Sequence, residues 1–252
     1  MKETICVTGG LGFIGSNFIL SALEDGYSVL NIDIGTYAAN PMTKDIFRAK
    51  SSYNYEQVNI CDQEPVYNLL RHYCPTKIVH FAAESHVDNS ITDSSMFVTT
   101  NILGTHSLLT ASLKYWEYLK NINDFLFLHV STDEVFGSLG KSGSFTEKSN
   151  YAPNSPYSAT KAGSDHLVRS WNVTYGLPTI ISHCSNNYGP LQNVEKFIPK
   201  IITNLLSGLE VPIYGNGEYY RDWIFVSDHI DALKLIITNA TPGQTYCIGT
   251  RT

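Results

Sequence analysis

The chain has 252 residues, of which 43% are hydrophobic, and it carries a formal net charge of −6 at pH 7. This length can bury the core of one large domain, or of one domain with a small appendage. The negative charge argues against a nucleic-acid partner, which would need clustered Lys and Arg, and no apolar run is long enough for a membrane span.

The cysteines and histidines suggest neither disulfides nor a metal site. The five cysteines are odd in number and contain no Cys-x-x-Cys pair, so we expect them to be reduced. His86, His129 and His183 flank predicted strands without ligand spacing, which favours hydrogen-bonded histidines over zinc ligands. The first strand begins too early to leave room for a signal peptide, so we expect a cytoplasmic protein.

The amino-terminal segment predicts a dinucleotide site. A β-favouring run at residues 4–7 precedes a glycine-rich turn and a helical pattern that ends at residue 23, the context in which such glycines bind a dinucleotide. Gly9 would permit the tight turn, Gly12 would let the backbone approach a pyrophosphate, and Gly15 would allow close packing of helix on strand.

The second predicted strand, at residues 29–32, ends at Asp33. A carboxylate here can accept hydrogen bonds from both ribose hydroxyls of NAD, and it would repel a 2′-phosphate. A structural turn and a solvated Asp would be the alternative. The order of strand, turn, helix and acid favours NAD, and we expect NAD rather than NADP.

The elements that follow alternate between strand and helix. After a loop or broken helix at residues 35–52, we expect strands at 55–60, 77–81, 125–130 and 178–183 and helices at 64–73, 94–118 and 156–175. This alternation predicts an α/β fold, a Rossmann-type doubly wound parallel sheet with helices on both faces. Asn101 is unfavourable inside its helix; a buried hydrogen-bonding role and an exposed polar face are equally consistent with that position.

The alternation loosens beyond Cys184. We expect a helix at 196–206, a strand at 211–214, a helix capped by Ser227 that ends at 238, and a strand at 245–248. Residues 1–184 would form the NAD-binding domain with the catalytic residues. Residues 185–252 would form a smaller substrate-binding portion, although no clear linker marks the boundary.

Two motifs predict the chemistry. The apolar run at 125–130 leads into Thr132, Asp133 and Glu134, at the strand end where ligands bind in open α/β sheets. Tyr157 and Lys161 lie one helical turn apart and face the same way. Together they could move protons on a sugar. The alternatives are an acid pair that starts a helix and an ordinary surface Tyr and Lys.

Seven blocks in family order resemble the extended short-chain dehydrogenase/reductases and, within them, the dTDP-glucose 4,6-dehydratase family. They are Thr-Gly-Gly-Leu-Gly-Phe-Ile-Gly, Ala-Ala-Glu-Ser-His-Val-Asp, Ser-Thr-Asp-Glu-Val-Phe-Gly, Tyr-Ser-Ala-Thr-Lys, Ser-Asn-Asn-Tyr-Gly-Pro, Glu-Lys-Phe-Ile-Pro and Arg-Asp-Trp. Tyr-x-x-x-Lys marks only the superfamily. Thr-Asp-Glu is more selective, because sugar epimerases of this fold usually lack the acid pair.

The resemblance implies a role for each motif residue. Tyr157 would remove the C4 hydroxyl proton while hydride leaves C4 for NAD, and Thr132 would hydrogen-bond that hydroxyl. Lys161 would bind the nicotinamide ribose and lower the pKa of the phenol. Glu134 would take the C5 proton and a protonated Asp133 would donate to the leaving C6 hydroxyl, because neighbouring buried carboxyls split their pKa values.

The resemblance also implies binding positions. Those for the cofactor are Gly9, Gly12, Phe13, Ile14, Gly15, Asp33, Ile34, Gly35, Thr36, Asn59, Ile60, Phe81, Ala82, Ala83, Glu84, Ser85, Thr100, Tyr157, Lys161 and Asn187. Those for the nucleotide sugar are Ser85, Thr132, Asn186, Lys196, Phe197, Pro212, Ile213, Tyr214 and Arg221. Asn59 stands where the family commonly has Asp, which would weaken an adenine contact, and Arg221 could instead form a structural ion pair with Asp222.

The resemblance therefore implies a nucleotide-sugar 4,6-dehydratase that acts on dTDP-glucose. A UDP-glucose dehydratase or an epimerase of the same fold stays open, as does a non-catalytic NAD-binding module. We expect the substrate-binding portion to be incomplete, since the family continues beyond the position of Thr252. We also expect a homodimer formed by the 94–118 and 156–175 helices, whose apolar side chains could alternatively all be buried within one chain.

Overall fold

A computed structural model describes residues 3–120, 124–139, 142–211, 217 and 220–250. Within these residues the strands are β1 (Thr4–Thr8), β2 (Ser28–Ile32), β3 (Tyr53–Glu56), β4 (Lys77–His80), β5 (Leu126–Thr132), β6 (Thr179–Cys184), β7 (Asn186–Tyr188), β8 (Trp223–Phe225) and β9 (Thr245–Ile248). Seven of them form one parallel sheet in the order β3-β2-β1-β4-β5-β6-β9, and β7 and β8 pair separately, also in parallel.

Helices cover both faces of the large sheet. They are α1 (Phe13–Glu24), α2 (Pro41–Arg48), α3 (Gln63–Tyr73), α4 (Val87–Thr92), α5 (Ser95–Phe97), α6 (Thr105–Tyr118), α7 (Pro156–Tyr175), α8 (Phe197–Leu206) and α9 (Val226–Asn239). One core packs α1 and α9 against the sheet, and the other packs α3, α6 and α7 against the opposite face. The predicted doubly wound parallel fold is confirmed.

The central strand and the longest helix follow directly from their residues. Every residue of β5 is buried, as expected for a parallel strand covered on both faces. At the start of α7, Ser155 and Ser158 form a reciprocal capping box and Pro156 occupies the first turn. The helix ends at Gly176, whose φ of +72° is the left-handed conformation that glycine adopts most readily.

Some predicted boundaries are wrong. β3 ends at Glu56, whose carbonyl accepts from the Val58 N–H at 3.0 Å, and the Asn59 side chain then accepts from the Cys61 N–H at 2.9 Å in the turn that follows. Ser227 lies inside α9, whose cap is Phe225, and residues 186–188 form a strand that we did not predict. Most of the predicted 211–214 strand lies outside the described residues.

The strand order positions the site. It reverses between β1 and β4, and ligands of open α/β sheets bind beside the carboxyl ends of the strands at such a reversal. The predicted division at residue 184 stays a proposal; β9 pairs with β6, so a segment beyond residue 184 also contributes a strand to the large sheet. None of the described helices has the length and apolarity that crossing a membrane requires.

Candidate active site

The turn after β1 is packed tightly against the end of β4. Gly9 has a φ of +74°, and a Cβ there would lie 2.6 Å from the Ala82 N atom. A Cβ on Gly15 would lie 2.4 Å from the Gly9 carbonyl oxygen. Helix α1 follows at once, and the N–H groups of its first turn have no carbonyl partner within the helix. This end of the helix is suited to an anion.

Asp33 follows β2 and lies beside this turn. Its Oδ2 accepts from the Leu11 N–H at 2.9 Å, and its Oδ1 accepts from the Gly35 N–H at 2.8 Å. Burial raises the pKa of Asp33, and these two hydrogen bonds oppose that change. The carboxylate is therefore held in one orientation at the carboxyl end of β2, where a ribose would need it.

Asn101 lies in a π-helical segment, Val98–Gly104, that joins α5 to α6. Its side chain is buried, where Oδ1 accepts from the Glu84 N–H at 2.9 Å and Nδ2 donates to the Glu84 carbonyl at 3.0 Å. Nδ2 also donates to Thr160 Oγ1. The buried hydrogen-bonding role is confirmed, and it ties the loop after β4 to α7.

The acid pair follows β5 in a short 3₁₀ turn, Asp133–Phe136. Thr132 Oγ1 accepts from the Glu134 N–H at 3.3 Å and donates to Asp133 Oδ1 at 3.4 Å. Burial raises the pKa of Asp133 to about 6, with the charge of Asp222 adding to the effect and that of Arg221 opposing it. Burial and the neighbouring Asp133 also raise the pKa of Glu134. Both carboxyls are therefore easier to protonate than exposed ones.

Tyr157 is buried in the first turn of α7 next to the acid pair. Burial raises the pKa of its phenol well above the ordinary value, and the charge of Glu134 adds to this, whereas a hydrogen bond with Thr132 opposes it. The expectation that Lys161 lowers this pKa is wrong for this structure. Lys161 Nζ donates to the Val130 carbonyl at 2.9 Å, and burial outweighs any effect of its charge on the phenol.

Two of the predicted substrate residues lie near the acid pair. The charges of Arg221 and Lys196 both lower the pKa of Glu134, so both cations lie near it. Lys196 Nζ donates to the Ser85 carbonyl at 3.3 Å, and the Phe197 ring stacks on Trp223 with centroids 6.2 Å apart. Pro212, Ile213 and Tyr214 lie outside the described residues.

The other predicted cofactor positions, and Asn186 from the predicted substrate set, lie in or after several different strands. Ile34, Gly35 and Thr36 are exposed after β2, Thr100 is in the π-helical segment, and Ile60 is buried. Phe81, Ala82, Ala83, Glu84 and Ser85 follow β4. Asn186 and Asn187 lie in β7, where the Asn187 side chain donates to the Ser185 carbonyl at 3.0 Å and its Oδ1 lies 2.9 Å from His229 Nδ1.

Arg221 and Asp222 each form hydrogen bonds with residues other than one another. The Asp222 carboxylate accepts from the Thr250 N–H at 3.1 Å and from the Thr250 hydroxyl. Arg221 Nη1 donates to the Tyr220 carbonyl at 2.8 Å. Asp222 therefore has hydrogen-bond partners of its own, beyond its neighbour in sequence.

Sequence reasoning missed Asp165, which is fully buried under the site. Its Oδ2 accepts from Ser131 Oγ at 2.9 Å and from the Tyr151 hydroxyl at 3.2 Å, and it lies 3.1 Å from His183 Nε2. Its Oδ1 lies 3.2 Å from His129 Nε2. The spacing of four residues from Lys161 could have revealed it, since both then share a helix face. Across the described ranges, no cluster of His, Cys, Asp and Glu could hold a metal ion.

Comparison with known proteins agrees with this geometry. The sequence model of the family described as GDP-mannose 4,6 dehydratase matches residues 6–252. The dTDP-glucose 4,6-dehydratase of Xanthomonas campestris pv. campestris (strain B100) is 48% identical over 248 residues, which cover 98% of this chain and 71% of that protein. The chain belongs to the dTDP-glucose 4,6-dehydratase family.

Two solved structures of this family have the same fold. The dTDP-glucose 4,6-dehydratase of Bacillus anthracis, in complex with NAD, superposes with a TM-score of 0.89 at 39% identity, covering 99% of this chain and 76% of that one. A double mutant of the Streptomyces venezuelae enzyme DesIV, with NAD bound, gives 0.90 at 41% identity, covering 97% and 74%. The family resemblance predicted from the seven sequence blocks is confirmed.

Proposed function

We propose that the chain, with bound NAD, converts dTDP-glucose to dTDP-4-keto-6-deoxyglucose and water. The observation that carries this proposal is the buried Asp133–Glu134 pair beside Tyr157, with the pKa values of both carboxyls raised. An oxidation or epimerisation at C4 needs a base at the C4 hydroxyl. Only the loss of water across C5 and C6 needs a second acid and a second base, and the pair supplies both.

The residues present fit NAD. The close approach of Gly9 to Ala82, the free first turn of α1 and the fixed carboxylate of Asp33 suit a pyrophosphate and a ribose diol. Lys161 would hold the nicotinamide ribose. When bound, NAD supplies a hydride acceptor for C4, a hydride donor for C6 and, in its oxidised form, a positive charge.

The chain's own residues would handle the protons. Burial raises the pKa of the Tyr157 phenol, so the phenol would need the positive charges of Lys161 and of bound NAD beside it to ionise. It would then take the C4 hydroxyl proton, after which the C5 proton is acidic because it is α to a ketone. Glu134 would remove that proton while Asp133 gives its own to the departing C6 hydroxyl. The pKa of Asp133 at about 6 suits an acid near neutral pH, and Thr132 would hydrogen-bond the reacting hydroxyl.

The charges around the acid pair favour a nucleoside diphosphate. Lys196 and Arg221 are the cations whose charges lower the pKa of Glu134. A guanidinium on a diphosphate is a strong, bidentate contact. Asn186 and Phe197 would complete this side of the site.

We also infer a cytoplasmic homodimer. α6 and α7 pack side by side on one face of the sheet. Leu108, Leu109 and Val168 are buried within the chain, so they do not support an interface, whereas Leu103, Tyr118, Val173 and Tyr175 on or next to these helices are exposed. Sedimentation of the purified chain tests this: a monomer at micromolar concentration would contradict it.

The activity is tested by incubating the chain and NAD with dTDP-glucose or UDP-glucose and measuring the alkaline absorbance of the 4-keto product. We expect product from dTDP-glucose. Product from UDP-glucose alone would identify the other dehydratase. The rates with the two sugars are compared, because a pocket distinguishes a single methyl by only about 1 kcal/mol. Bound NAD without product from either sugar would contradict the proposal and favour a binding module.

A further inference from the structure

The proposed role of Lys161 does not explain how its ammonium ion is stabilised in a buried position. It is only 4% exposed, and an ammonium ion removed from water is stable only when it is paired and hydrogen-bonded. Its Nζ donates to the Val130 carbonyl at 2.9 Å and lies 3.4 Å from His129 Nε2. Neither partner carries a negative charge.

His129 cannot supply that charge. Burial, together with the charge of Lys161, lowers the pKa of His129 to about 4, so the imidazole is neutral at neutral pH. Its Nδ1 is buried without a hydrogen-bond partner, and an unpartnered N–H is rarer than an unpartnered acceptor. We therefore assign the imidazole proton to Nε2, which lies 3.2 Å from Asp165 Oδ1.

Asp165 has the charge that Lys161 lacks. It lies one helical turn after Lys161 on α7 and is 1% exposed. Burial raises the pKa of its carboxyl, but the neighbouring imidazoles of His129 and His183 outweigh this and hold the pKa below its ordinary range. Burial lowers the pKa of Lys161, and the charge of Asp165 is the main influence that opposes it. His129 Nε2 lies between the two ions.

We propose that Asp165 is a positioning residue whose buried carboxylate keeps Lys161 an ammonium ion under the nicotinamide side of the site. This inference rests on the proposed role of Lys161. It assigns the cluster of His129, His183, Tyr151 and Ser131 the task of keeping Asp165 ionised.

Other titratable groups face the two ions from every neighbouring element. His80 from β4 and Cys184 from β6 lie close enough to Lys161 for their charges to interact, and Tyr157 and Glu134 lie in the neighbouring acid site. Glu147, His166 and Arg169 line a cavity of about 310 Å³ that Asp165 also lines. Cys184 could also carry a negative charge, but burial raises the pKa of its thiol to about 12. The negative charge that acts on Lys161 at neutral pH is therefore that of Asp165.

The first test is the pH dependence of kcat/KM in Asp165→Asn, which keeps the shape of the side chain and removes its charge. We expect the alkaline limb to move to lower pH by about one unit or more, because a close opposite charge shifts a pKa by that amount. Tyr151→Phe is the matched control: it removes one hydrogen bond to the same Oδ2 and keeps the charge, so the alkaline limb of its profile should stay at the pH found for the unchanged chain. Asp165→Glu, which keeps a carboxylate, should leave the alkaline limb near that same pH.

If the alkaline limb of the kcat/KM profile does not move in Asp165→Asn, and stability falls as in Tyr151→Phe, Asp165 has a structural role only and the proposal is overturned.

The second test needs no turnover, so its result is separate from that of the dehydratase proposal. In urea unfolding, Asp165→Asn and Lys161→Met should each lower the midpoint, and the double variant should lower it by less than their sum, because it leaves no unpaired buried charge. Additive losses would contradict the pairing. If Asp165→Asn alone does not fold, recovery of folded protein on adding Lys161→Met supports the proposal and no recovery opposes it.

Discussion

Asp133→Asn should stabilise the folded chain at pH 8 while it removes the proposed acid. The pKa of Asp133 is raised from an ordinary value of 3.8 to about 6, and each unit corresponds to about 1.4 kcal/mol. Keeping the carboxylate ionised in the fold at pH 8 therefore costs about 3 kcal/mol. Asn has no charge to bury, so we expect a gain of about 1–3 kcal/mol in the free energy of unfolding. Asp133 would then be a functional residue that lowers the stability of the fold.

The sign of the pH dependence distinguishes this cause from better packing. A carboxyl with a raised folded pKa destabilises the fold fully above about pH 6, and the penalty disappears as the pH falls through 6 towards 3.8. The gain from Asp133→Asn, measured by urea unfolding, should therefore shrink to about a third at pH 4.5. Asp124→Asn, at an exposed carboxyl, is the control and should change little. No gain at pH 8, or an equal gain at both pH values, would refute the reasoning.

Two further variants test the framework of the site. Gly9→Ala should lower the urea midpoint and weaken NAD binding at least tenfold, because its Cβ would lie 2.6 Å from the Ala82 N atom. Gly208→Ala, with a φ of +67° and nothing within 4 Å, should cost only about 1–2 kcal/mol; equal losses would show that the close approach is unimportant. Asn101→Ala should cost about 1–3 kcal/mol for each Glu84 backbone group left unpaired. An unchanged urea midpoint would contradict the role assigned to that side chain.

Much of the fold could be predicted from local patterns. The glycine turn, the buried run of β5 and the capping box of α7 are signals that neighbouring residues carry themselves. β7 could not be predicted in the same way, because its three residues become a strand only by pairing with β8. The end of β3 lies at a turn formed by the Val58 N–H on the Glu56 carbonyl and by the Asn59 side chain, and periodicity does not reveal such bonds.

The residues of the site could be predicted from the sequence, but their pKa values and buried partners could not. The motifs placed Asp133, Glu134 and Tyr157 together, but the pKa of the phenol depends on burial, which no spacing reveals. Asp165 was missed because its partners come from β5, β6 and the segment before α7. The role of a buried charge depends on partners that are distant in the sequence.

The most direct test of the account is a single experiment on Asp133→Asn combined with Glu134→Gln, mixed with NAD and dTDP-glucose. We predict that hydride still leaves C4, so the absorbance of reduced nicotinamide rises and persists while no 6-deoxy sugar forms. Formation of the 6-deoxy product at the rate of the unchanged chain would contradict the assignment of water loss to this acid pair.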